Sequence, residues 1–325
     1  MAVWRVFAML IVGLAAACAG AGGGPSFLAG GGEPPRILDL ATGRALTESE
    51  LLGGLRDADF VLLGEEHGTL EHHRLQARLV RALGEPPGRL GAVAFEMLAL
   101  DRQQAVTEHL AGPVGTSAGL DRAVDWAESG WPDFELYRPV FDAAIAADAE
   151  IVAANLTREQ VGGLIGEGLA VLPQGLVRRT GLDRPLPPRA ARGLSRMLAA
   201  AHCDRVSPDG IAGMMRVQRA RDALMAERLV TLSGRRPGVL IAGATHVRND
   251  WGVPTYLRRL RPDARIVSIA FGAGGLAVAP AAGDGPVFDY VWATAERARA
   301  SSYDPCGPLE GSRDGLRTAA ADAPR

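Results

Sequence analysis

The sequence predicts an α/β fold: a mostly parallel sheet flanked by helices, with a smaller helical insertion. Three observations point to it. Five short apolar runs rich in Val, Ile, Leu and Ala recur along the chain: FVLLG after Asp59, GAVAFEM after Leu90, IVAANL after Glu150, GVLIAGATHV after Pro237 and IVSIAF after Arg265. They are near-continuously apolar rather than alternating, as expected of strands buried on both faces. Segments of helical spacing separate them, the arrangement that yields parallel pairs joined by crossovers.

The expected helices follow from apolar spacing and end signals. Thr69 to Leu83 carries Leu75, Leu79 and Leu83 and stops at Gly84. Asp101 to Leu110 follows the second run, and Glu135 to Ala147 precedes the third with Tyr137, Val140, Phe141, Ala144 and Ile145 on one face. Between Thr157 and Arg236 there is no strand signal, only helical stretches over Gln160–Ala170, Pro188–Ala201 and Ser207–Leu232. Tyr256 to Leu260 begins the last crossover. The expected organisation is therefore an α/β domain over 36–156 and 236–297, a helical insertion over 157–235 and a loosely ordered tail over 298–325.

The first residues read as an export signal. MAVWRVFAMLIVGLAAAC has one positive charge, a short apolar run and small residues ending at Cys18. LAAAC resembles a bacterial lipobox, which would make residues 1–18 a signal peptide and Cys18 the lipidated N-terminus. An ordinary signal cleaved near Ala17 or Ala21 is the alternative. Ala19 is not the aspartate of inner-membrane retention, so the expectation is an exported protein anchored by lipid to the outer membrane, with residues 19–35 as a flexible tether. Cys203 and Cys306 remain after export, where an oxidising compartment permits pairing.

Composition excludes some chemistries. A net charge of −2 gives no reason to expect nucleic-acid binding. The chain contains no lysine, which removes a P-loop lysine, a Schiff-base lysine and a Ser-Lys dyad.

Four of the five runs end in residues able to do chemistry. Glu65, Glu66 and His67 follow the first, Glu96 ends the second, Asn155 the third, and Thr245-His246 the fourth. Open parallel sheets bind ligands beyond the carboxyl ends of their strands, so these side chains should converge on one rim. Two adjacent carboxylates and a histidine exceed what helix capping requires, although acidic residues also suit a helix N-terminus. His246 repeats the Gly-x-x-His pattern of His67, and a buried Glu96 would need a partner. Asn155 equally suits a plain turn. His72 and His73 start the next helix and diverge by about 100°; His73 is placed toward the site and the other toward solvent. Gln218, Arg221 and Asp222 share one side of the long helix, and Met214, Met215 and Met225 read as packing. Trp126, Trp131 and Tyr137 could line a flat pocket or cover the sheet.

LLGEEH…HHRLQ, AFEM, WPDFELYRPVFDAAIAADAEIVAANLTR, VQRARDALMA, GATHVRNDWGVP and DYVWAT, in this order from about Ile37 to Thr294, resemble the ChaN-like haem-binding uptake family, related to the Tiki proteases and erythromycin esterases. The resemblance implies an exported lipoprotein that takes up haem or iron, with haem as its ligand and an outer-membrane haem receptor as a partner. It also implies a tyrosine as axial ligand, for which the sequence offers Tyr137, Tyr256, Tyr290 and Tyr303. The cofactor-site candidates are His67, His73, Tyr137, His246 and Arg248, with Arg248, Arg138 or Arg221 meeting the propionates. A flat ligand of that size on a shallow rim suggests a homodimer sharing it. The competing reading is a hydrolase: Glu65, Glu66, His67, Glu96 and His246 as catalytic residues, either metal-free or with a divalent metal on Glu65, His67, Glu96 and His246.

Overall fold

The computed structural model describes residues 37–273 and 285–295. The expected signal peptide, Cys18, the expected tether and tail, Tyr303 and Cys306 fall outside these residues; Cys203 is disulfide-bonded.

The five apolar runs form strands β3 (Phe60–Glu65), β4 (Ala92–Ala99), β5 (Glu150–Asn155), β6 (Gly238–Gly243) and β7 (Ile266–Ala273). They belong to an eight-stranded sheet of order β2-β1-β8-β7-β3-β6-β4-β5. From β8 (Tyr290–Thr294) to β5 every pair is parallel, while β1 (Ile37–Asp39) and β2 (Ala45–Leu46) extend the β8 edge antiparallel. Periodicity did not reveal β1, β2 or β8, which are short and lie toward one edge. The two or three residues of β1 and β2 carry too few side chains to show a period.

The strands send alternate residues to two different layers. Val61, Leu63, Val93, Phe95, Val239 and Ile241 face α1 (Glu48–Leu55), α2 (Leu70–Leu83) and α5 (Phe134–Ala146). This layer is bulky and aromatic, with Phe95 and Phe141 stacked at 4.1 Å. Helix α1, which the apolar spacing did not show, starts at a capping box between Thr47 and Glu50.

Small residues dominate the opposite face. Ala92, Ala94, Ala154 and Ala242 meet Ala220, Ala223 and Ala226 of α9 (Pro208–Ser233), all fully buried. Where these alanines meet, helix and sheet approach closely. A Cβ on Gly91 would lie 2.2 Å from the Ser233 carbonyl oxygen, and one on Gly238 2.8 Å from a Leu229 methyl. The insertion expected over 157–235 is thus largely the sheet's second layer, since α6 (Arg158–Gly166), α7 (Gln174–Thr180) and α9 pack in that core. Only α8 (Pro188–Ala201) and the start of α9 form a separate cluster, around Trp251. Met225 is core as expected, whereas Met214 and Met215 border that smaller cluster. The remaining helices, α3 (Gln103–Ala111), α4 (Leu120–Ala123) and α10 (Val253–Leu260), complete the crossovers.

Gly64 tests this packing where β3 passes beneath the rim. A Cβ there would sit 2.3 Å from Val247 Cγ2 and 2.9 Å from the Ala244 Cα. Gly64→Ala should cost about 1–3 kcal/mol through overpacking, read as a lower urea midpoint at unchanged slope.

Candidate functional site

The carboxyl ends of β3, β6 and β4 lie side by side and carry the site. Glu65 closes β3 opposite Gly243 of β6, and Glu96 sits on β4 where its register against β5 shifts between Phe95 and Ala99. At that irregularity the Asn155 amide donates to the Glu96 carbonyl at 2.9 Å while its own oxygen accepts from Leu156 N–H. Asn155 therefore shapes the strand end and has no hydrogen bond to the histidines.

Glu65, His67, Glu96 and His246 meet in one buried row, joined at its ends by His73 from α2 and Asp222 from α9. His73 Nε2 lies 3.1 Å from Glu65 Oε2, and Glu65 Oε1 lies 2.8 Å from His67 Nδ1. His67 Nε2 lies 3.7 Å from Glu96 Oε2. Glu96 Oε1 lies 3.2 Å from His246 Nε2, and His246 Nδ1 2.5 Å from Asp222 Oδ1. Histidines and carboxylates alternate, so each buried charge has an opposite neighbour. The Gly243 N–H also donates to Glu96 Oε2 at 2.8 Å. A Cβ on Gly243 would stand 2.8 Å from His67 Nε2, so the row passes where only glycine fits.

Electrostatics follow from this alternation. Burial favours the neutral form of Glu96, but His246 and His67 outweigh it and hold its pKa at about 2. Glu65 is likewise held well below the usual carboxylate range by His73 and His67 against its burial. Burial lowers His246, yet Glu96 and Asp222 push it up to about 10. His67 is raised too, its burial overridden by Glu65 and Glu96. Asp222 is the exception: burial pushes it up to about 6 despite His246.

One expectation is overturned. His72 and His73 are both fully buried, neither facing solvent. They diverge as helical neighbours must, but each direction leads into protein. His72 Nδ1 accepts the Glu66 backbone N–H at 3.0 Å, which leaves Nε2 to donate to Thr294 Oγ1 at 2.9 Å. His73 stacks on Tyr137 at 4.1 Å. The second glutamate of the pair, Glu66, contributes that backbone group and is half-buried.

The aromatic segment divides. Trp126 is core, while half-buried Trp131 lies edge-on to His67 with centroids 4.9 Å apart. Tyr137 is fully buried, and burial together with Glu65 and Glu96 raises its phenol well above its ordinary value, opposing a tyrosinate. Tyr256 is buried against Arg219 and Tyr290 is half-buried at the start of β8, away from the rim. Arg248 is bidentate to Asp250 at 3.0 and 2.8 Å and stacks on Trp251, and Arg138 pairs with Glu135.

The metal set of Glu65, His67, Glu96 and His246 is not supported. Among the described residues no group of three or more His, Cys, Asp or Glu is placed to hold a metal ion. The physical reason is that their donor atoms face one another in a row instead of a common point. Asp222 and Gln218 were legible only as one face of a helix; Gln218 Nε2 lies 3.1 Å from both ring nitrogens of His246.

The profile of the family described as haem-binding uptake, Tiki superfamily, ChaN matches residues 51–257, well over half of the chain. Among solved structures, ChaN of Campylobacter jejuni, reported with cofacial haem binding, superposes with a TM-score of 0.63 at 20% identity, covering 78% of this chain and 94% of that one. A mutant of the erythromycin esterase EreC in its open conformation gives a TM-score of 0.42 at 18% identity, covering 74% and 78%. Comparison with curated proteins gives no match.

Two measurements test the row. Glu96→Gln removes the negative charge shared by His67 and His246 and should cost about 3–5 kcal/mol in denaturant unfolding. His246 rises from 6.5 unfolded to about 10 folded, so its contribution is complete below pH 6.5 and lost as pH climbs to about 10. Glu96 falls from 4.5 to about 2, so its contribution is present above pH 4.5 and lost toward pH 2. Unfolding free energy should therefore decline on both limbs, and His246→Gln should flatten the alkaline one.

Proposed function

Since the chain belongs to the haem-binding uptake family of the Tiki superfamily, ChaN, we propose that it binds haem and serves haem or iron uptake as an exported, lipid-anchored protein of the outer membrane. The observation that carries this is family membership across both layers of the sheet, from α1 to α10. Cys18, at the end of the lipobox-like LAAAC, is the proposed anchor.

The haem is proposed to lie at the carboxyl ends of the parallel strands. Trp131 is the side chain it would displace, because its half-buried ring lies edge-on to His67. His67, His73, Tyr137 and His246 are the nearest candidates for the iron, and all four are buried, so any ligation requires that rim to open. A rim of this kind covers only one side of a flat macrocycle. A second copy of the chain would cover the other, which makes a homodimer the proposed binding form. A haem receptor of the outer membrane is the proposed partner for delivery.

One observation favours a second reading, metal-free hydrolysis. Glu65 fixes His67 through Nδ1 at 2.8 Å, while His67 Nε2 has no hydrogen bond, the arrangement of a tuned acid–base group.

Haemin titration of the full chain separates these readings. The haem reading expects a saturable shift in the Soret region, weakened at least tenfold in one of His67→Ala, His246→Ala or Tyr137→Phe, with dimer formation on loading. An unchanged spectrum, together with ester or peptide hydrolysis that disappears in His67→Ala, would move the assignment to a hydrolase.

A further inference from the structure

Helix α9 carries four arginines that project near the sheet, and three are anchored. Arg216 donates to the Leu164 and Ile165 carbonyls, Arg219 to the Leu182 and Arg184 carbonyls and to Tyr256, and Arg228 to the Ala153 carbonyl and Gln103. Arg221 differs. Its Nε is buried without a hydrogen-bond partner, and no ion pair is formed by its guanidinium among the described residues. The residue is only half-buried, so part of it reaches solvent.

Its position is informative. Arg221 lies between Gln218 and Asp222 on one face of α9, and both of those contact His246. Its charge acts on Glu96 and Asp222; one oxygen of each lies against His246, and neither forms an ion pair with Arg221 among the described residues. A guanidinium in partly desolvated surroundings without a bidentate partner is costly, and a carboxylate is the group whose geometry it matches. The alternatives at this rim are occupied: Arg248 by Asp250 and Arg138 by Glu135.

We propose that Arg221 is the anion-binding residue of this site, taking a carboxylate of the bound ligand through its unpaired guanidinium. On the haem reading, on which this inference rests, that carboxylate is a propionate. The side chain then orients the macrocycle at the β3-β6-β4 rim and selects for porphyrins with free acids.

The test compares haemin with haemin dimethyl ester, which keeps the iron and ring but lacks the free carboxylates. Both are titrated into the full chain as wild type, Arg221→Gln, Arg221→Lys, Arg248→Gln and Arg138→Gln. The wild type is expected to bind haemin about tenfold more tightly than the ester, a difference of the size one charge-assisted hydrogen-bond pair supplies. Arg221→Gln should remove that preference, Arg221→Lys should retain part of it, and the other two variants should keep it. Equal affinity of the wild type for both porphyrins, or a preference that survives Arg221→Gln, overturns the assignment and leaves haem binding standing. Absence of saturable binding by the wild type for either porphyrin overturns the haem reading and this inference together. Should Arg221→Gln fail to fold, the wild-type preference and its reduction in Arg221→Lys decide the matter.

Discussion

Glu96 is held by three groups that reach it from other parts of the chain: His67 beyond β3, His246 beyond β6 and the Gly243 backbone N–H. A carboxylate taken out of water at the end of a strand costs several kcal/mol unless it is paired and hydrogen-bonded. Pairing it with two histidines requires β3, β6 and β4 to end in register and both following loops to turn back across the rim. Gly243 makes room for His67, and Gly252, where a Cβ would meet the His246 carbonyl oxygen at 2.2 Å, lets the second loop close tightly. The rim's geometry is therefore a consequence of satisfying one buried charge.

The same requirement extends outward in both directions. Once His67 is shared with Glu96, its other nitrogen needs Glu65, and Glu65 in turn lies against His73. Once His246 is shared, its Nδ1 meets Asp222. The alternation places α2 and α9 at fixed heights over opposite faces of the sheet. On the α9 side, alanines on both surfaces bring the helix near enough for Asp222 and Gln218 to reach His246. Packing and electrostatics here are one constraint, since a bulkier face would lift the helix and strand the imidazolium.

The row pairs its charges with one another but leaves His67 Nε2 and Asp222 Oδ2 without hydrogen bonds, and two side chains flank it: Trp131, edge-on to His67, and Arg221, next to Asp222 in sequence, whose charge acts on Glu96 and Asp222. An aromatic surface and an unpaired cation at one rim are the complementary halves of a flat, acidic ligand's chemistry.

The sequence by itself determined the α/β class, the parallel core strands and the convergence of polar side chains at the strands' carboxyl ends. Each of those is a local property: continuous apolar runs, helical spacing between them, and polar residues at strand ends. Glu65, His67, Glu96 and His246 were legible for the same reason. Only the tertiary structure decided the rest. Whether His72 and His73 face water depends on what packs beyond α2, and the spacing along one helix carries no record of that. Asp222 enters the row because α9 lies close against the sheet, where alanines of β4, β5 and β6 meet alanines of the helix. Arg138 and Arg248 pair with carboxylates three and two residues away, whereas Arg221 forms no such pair with the adjacent Asp222, because Asp222 turns to His246.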